Sequence, residues 1–171
     1  MDNHEERIGQ ARWLVLSEET SNRLDLILNE FLTISGAKCA LLVDKDGYLV
    51  TQQGEAFSFH NDTISALVAG GYAATKEIAR LLGEDEFSVL YHQGKRENIQ
   101  LTLVADRVLL TVIFDDQTTL GMVRLYSQET AKKISKVLED MDESPCELSP
   151  GTFESDDFTS SAKERLNDLF Q

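Results

Sequence analysis

The chain has 171 residues, with 16 lysines and arginines against 30 aspartates and glutamates, which gives a net charge of −14. A protein that grips nucleic acid needs a basic surface to displace counterions from phosphates, so nucleic acid is excluded as a target. An apolar fraction of 42% with two prolines and ten glycines is ordinary globular composition, enough for one core.

No apolar run approaches the roughly 18 residues of a membrane span. The start, Met1-Asp2-Asn3-His4-Glu5-Glu6, is acidic where a secretory signal is basic and then apolar. A cytoplasmic location without membrane insertion is therefore expected. Cys39 and Cys146 are too few for a disulfide framework and are expected to stay reduced.

Residues 1–13 form an N-terminal arm, and a single domain is expected over residues 14–141. Trp13-Leu14-Val15-Leu16 reads as a short strand or a packing arm. Over residues 18–35, Leu24, Ile27, Leu28, Phe31 and Leu32 recur at helical spacing, and Gly36 ends the run. Residues 38–44 and 48–52 are apolar runs joined by Lys45-Asp46-Gly47, a hairpin signal. The first of these strands is apolar on both alternating faces, so its sheet is expected to be covered on both sides.

A middle helix is expected over about residues 62–82, capped by Asn61 or Asp62 and stopped by Gly83. Ile64, Leu67, Val68, Ile78, Leu81 and Leu82 form a bulky stripe that is expected to pack on the sheet. Ala66, Ala69, Gly70, Ala73 and Glu77 form a small-residue ridge on the other side, expected to admit the close approach of another molecule. Gly70-Gly71 in mid-helix costs about 1 kcal/mol per glycine relative to alanine, which calls for compensation.

Strands follow over about residues 87–93, 98–104 and 107–114, the last pair joined at Ala105-Asp106. A last helix begins near Thr118 or Thr119 and runs to about Met141, with the stripe Val123, Tyr126, Ile134, Val137, Leu138 and Met141. Asp115-Asp116 is expected to cap it, and Lys132, Lys133 and Lys136 are expected to match the dipole at its C-terminal end. Links this short exclude parallel crossovers, so the fold class is an α/β layered domain with an antiparallel meander.

From Glu139 onward ten acidic residues face two basic ones, so the last 33 residues hold −8 of the −14. Residues 142–159 contain both prolines and no apolar periodicity, the composition of an acidic flexible linker. In residues 160–171, Ser161 and Glu164 suit a capping box, and Leu166, Leu169 and Phe170 share one helical face. Such a segment is either a partner-binding helix or a terminus docked on its own domain.

Catalytic patterns are missing. Gly94-Lys95 lacks both the earlier glycine and the following Ser or Thr of a phosphate-binding loop. His4, His60 and His92 are far apart and neither cysteine has a companion, so neither a metal nor a cofactor is expected. His92 reads as a sheet-edge residue, and Asp44 and Asp46 suit turn chemistry.

Several segments taken in order carry a resemblance. They are Leu41-Leu42-Val43-Asp44-Lys45-Asp46-Gly47, Leu67-Val68-Ala69-Gly70-Gly71-Tyr72-Ala73-Ala74, Ile78-Ala79-Arg80-Leu81-Leu82-Gly83-Glu84, Val112-Ile113-Phe114-Asp115 and Thr119-Leu120-Gly121-Met122-Val123-Arg124-Leu125. Over about residues 14–140 this resembles the roadblock superfamily, most closely its bacterial members that partner a small Ras-like GTPase of the MglA type. Asn167-Asp168-Leu169-Phe170 resembles the terminal helix of some members.

The resemblance implies a five-stranded antiparallel sheet, with the middle helix on one face and the first and last helices on the other. It implies a homodimer built by pairing the middle helices and extending the sheets, with the GTPase seated on that helix pair. It also implies a non-enzymatic regulator that accelerates GTP hydrolysis without an arginine finger, in cell polarity or motility, with recruitment to a cell pole. Ala66, Ala69, Gly70, Ala73, Ala74 and Glu77 would then contact the partner on the middle helix, where some relatives have glycine in place of Glu77. Leu166, Leu169 and Phe170 would contact it from the C-terminal helix. The alternative is a roadblock scaffold that binds a GTPase or another protein without altering hydrolysis.

Overall fold

The computed structural model describes residues 16–55 and 61–143. The expected C-terminal helix, residues 144–159 of the expected acidic linker and Trp13-Leu14-Val15 lie outside the described residues; Asp142 and Glu143, expected to open that linker, belong to the last helix, and Leu16 packs against the core.

Helix α1 (Glu18–Ser35) starts at Ser17, whose hydroxyl accepts the Thr20 N–H at 3.1 Å, and stops at Gly36, which takes φ 70°. Positive φ is what glycine supplies at a helix end without a steric cost. Leu24, Leu28 and Phe31 are buried on the face that their spacing predicts.

Strand β1 (Cys39–Asp44) turns into β2 (Leu49–Gly54) through Gly47 at φ 95°. The turn is held by Asp44, whose Oδ1 accepts the Tyr48 N–H at 2.9 Å. Helix α2 (Asn61–Leu81) follows, stopped at Gly83 with φ 81°. Strands β3 (Val89–Gln93), β4 (Asn98–Val104) and β5 (Val108–Phe114) form the meander. Ala105 and Asp106 both adopt positive φ, 53° and 55°, in the three-residue link between β4 and β5, a turn that the Arg107 N–H closes on the Val104 carbonyl at 3.0 Å.

All strand pairs are antiparallel and the order is β2-β1-β5-β4-β3. Every residue of the central strands β1 and β5 is buried, because each face of the sheet is covered. On one face α1 and the last helix, α3 (Leu120–Glu143), pack side by side over Ala40, Leu42, Leu110, Val112 and Phe114. On the other, α2 covers Cys39, Leu41, Val43 and Ile113, contacting them through Ile64. Each fully buried Leu, Ile, Val or Phe contributes about 1.5–3 kcal/mol of apolar transfer, so the two clusters fix the three-layer order. The expected five-stranded antiparallel fold is the one observed.

Two expectations at the ends of α3 need correction. Asp115 does not cap the helix: its Oδ1 accepts the Gln117 N–H at 3.0 Å to close the preceding turn, while the Thr119 hydroxyl accepts the Met122 N–H at 3.3 Å. Lys132, Lys133 and Lys136 do not match the dipole either. The helix continues past Met141, so its last turn carries Asp140, Asp142 and Glu143 instead. Acids there oppose the dipole, and arginines from elsewhere offset them: Arg23 of α1 meets Asp140 at 2.7 Å and Arg107 meets Asp142 at 2.6 Å. Lys133 pairs with Glu30 across the two helices at 2.8 Å.

Candidate functional site: the exposed face of the middle helix

Most of the buried positions of helix α2 are small residues, with Tyr72 the exception. Ser65, Ala69, Tyr72 and Ala79 are its buried positions, and the bulky stripe expected in the core is largely in solvent. Leu67 is 71% exposed and Leu81 82%, with Ile78 and Leu82 also exposed, while Ile64 and Val68 are half-buried. The reason lies in the β1–β2 turn. A Cβ built at Gly47 would stand 3.1 Å from the Cα of Ala66 and 3.6 Å from the Cβ of Ala69, so hairpin and helix backbone meet almost without side chains between them. Leucine at those helix positions would lift α2 off the sheet, and the small residues serve the protein's own packing there.

The predicted ridge therefore divides. Ala69 faces inward and is buried, which corrects its expected place on the outer face. Ala66, Gly70, Ala73, Ala74 and Glu77 are exposed. Nothing lies within 4 Å of a Cβ built at Gly70 or Gly71, so among the described residues no packing demands those glycines. The outward face runs through Leu67, Gly70, Ala74, Ile78 and Leu81, a narrow waist between bulky apolar ends. The charges beside it, Glu77 and Arg80, form an internal pair at 2.9 Å.

Tyr72, which pattern reasoning missed, anchors the helix. Its hydroxyl donates to Glu86 and lies within reach of the Phe87 carbonyl, each at 3.2 Å, and Lys76 meets Glu86 at 3.5 Å. Burial, reinforced by the Glu86 carboxylate, pushes the Tyr72 phenol well above its ordinary range and keeps it neutral. Tyr48, also missed, stands exposed next to Gly47 in the turn that meets α2. An aromatic in a turn next to an Asp-Gly step was the available signal.

Several other ionisable groups hold the fold together. Lys38 ties together Glu97 at 2.8 Å, Asp115 at 3.4 Å and Glu55 at 3.8 Å, clamping the ends of several strands. The Gln117 N–H, then Lys38, hold the Asp115 carboxyl below its ordinary range. Lys45 does the same to Asp106. Burial raises the Cys39 thiol to about 11, which makes it an inert core residue, and His92 is exposed on edge strand β3. Among the described residues no three His, Cys, Asp or Glu gather to hold a metal, and no helix is long and apolar enough to cross a membrane. The arrangement offers a contact surface on α2.

Comparison with known proteins agrees with the fold. Residues 23–114 match the Roadblock/LC7 domain. The fold superposes on MglB of Myxococcus xanthus with a TM-score of 0.72 and 32% identity, covering 77% of this chain and 98% of that one. The gliding protein MglB of Thermus thermophilus is similar, with a TM-score of 0.68, 32% identity and coverage of 74% and 96%. An uncharacterised protein of Aquifex aeolicus is 22% identical over 130 residues, 75% of this chain and 80% of its own length. The chain is a member of the Roadblock/LC7 family.

Proposed function

We propose that this protein is a regulator of a small Ras-like GTPase of the MglA type. In this reading it is a homodimer that accelerates GTP hydrolysis by remodelling the partner's own active site, without an arginine finger and without a catalytic site of its own. Its setting is bacterial cell polarity or motility. One observation carries the reading: α2 turns Leu67, Gly70, Ala74, Ile78 and Leu81 to solvent, where no residue of the described chain covers them. A solvent-facing apolar stripe of this kind marks a protein interface, and the likeness to MglB supports a GTPase as the partner. Self-association through the bulky ends and partner contact through the waist are compatible on one helix.

The exposed flank of the waist is tested by Ala73→Arg. Ala73 is exposed, so the substitution should leave the fold intact, while a long charged side chain blocks close approach of another backbone. Calorimetric titration of the GTP-loaded GTPase should show binding to the wild type and none to the variant. Equal affinities would remove the partner contact from this face.

A further inference from the structure

The outward face of α3, on the opposite layer from α2, is a second surface that the described residues leave uncovered. At about 100° per residue, Leu125, Lys132 and Lys136 fall within about 20° of one line along the helix, with Met122 on its flank. Leu125 is 50% exposed and Met122 41%. Lys132 and Lys136 are exposed and make no ion pair among the described residues, whereas Lys133 between them is committed to Glu30. Two acids share the face: Glu139, which accepts from Ser135 at 3.4 Å, and Glu129, one turn before Lys132. From its C-terminal end backwards, that face of α3 runs Glu139, Lys136, Lys132, Glu129 and then the apolar Leu125 and Met122, so the lysine pair stands between two acids and is followed by an apolar patch.

The chain beyond α3 carries the complementary order. Glu147, Glu154, Asp156 and Asp157 come first, with no basic residue among 144–157, and Leu166, Leu169 and Phe170 follow. The point of departure is fixed, because Asp142 is held by Arg107. From Glu143 back to Leu125 is 18 residues, about 27 Å of helix. From Glu143 forward to Leu166 is 23 residues, for which a flexible chain has an end-to-end distance of about 26 Å.

We propose that the C-terminal segment folds back along α3 of its own chain. Asp156 and Asp157 face Lys132 and Lys136, and Leu166, Leu169 and Phe170 cover Leu125 and Met122. The tether gives an effective concentration of order millimolar, so a contact too weak to form between molecules is populated within one. The segment is then stored on the layer opposite α2.

Amide hydrogen exchange on the full chain alone tests this, with no GTPase present, so its failure leaves the proposed function standing. Amides 163–171 should exchange at least about threefold faster in Lys132→Glu/Lys136→Glu than in the wild type. Adding Asp156→Lys/Asp157→Lys should restore the protection, and Leu125→Asp should abolish it. Amides of α1 and β5, read in the same experiment, report whether each variant is folded; should Leu125→Asp loosen them, the lysine pair and its rescue decide. Equal tail exchange in wild type and charge variants overturns the proposal. Protection that grows with protein concentration also overturns it, by assigning the segment to a second copy.

Discussion

Asp44 shows how one side chain is used against its own preference. It is fully buried, one carboxylate oxygen has no partner, and the other receives the Tyr48 N–H. Burial lifts its pKa above the ordinary value, while the backbone N–H groups of Tyr48, Asp46 and Gly47 pull the other way. A folded-state pKa above the unfolded one means that the folded protein binds the proton more tightly. Ionised Asp44 therefore costs stability in full above its folded pKa, and that cost shrinks as pH falls below it and is gone below the unfolded pKa. Asp44→Asn keeps the acceptor that holds the turn and removes the charge. Its stability relative to the wild type, from urea denaturation, should be more favourable at about pH 7 than at about pH 4. The opposite pH trend would contradict the role given to Asp44.

At the scale of elements, what was legible in the sequence depended on whether the deciding contact was local. The α1 stop at Gly36, the Asp-Gly turn and the two strands of 98–114 are written within a few residues, and each stands where it is expected. The orientation of α2 is not written locally. Hydropathy ranks Leu67 and Leu81 above Ser65 and Ala69 for burial, but where the helix meets Gly47 the close contact admits only small residues. The acids that end α3 are likewise offset by Arg23 and Arg107, far away in sequence. The outer face of α2 invites a direct test through Gly70→Ala. With open space around it, the added methyl should stabilise the isolated protein by about 1 kcal/mol through helix propensity. It should also weaken association with the GTPase if the waist is where the partner approaches. Thermal melting and calorimetry on one preparation read both effects; a gain in stability with unchanged affinity would place the partner elsewhere.

For the whole molecule, the charge of −14 is unevenly spread: the 33 residues from Glu139 hold −8 of it. Within the described domain, acids are largely engaged in closing the fold, as in the Lys38 clamp and the braced end of α3. The outer stripe of α2 is almost free of charge, which lets two acidic copies, or a copy and a partner, meet there without repulsion. The account rests on that stripe acting on a GTPase rather than only binding one. The decisive measurement is phosphate release by the cognate GTPase, single turnover, with and without stoichiometric protein. The account predicts marked acceleration by the wild type and the basal rate with Ala73→Arg. A basal rate with wild-type protein that demonstrably binds would contradict it and leave a scaffold in its place.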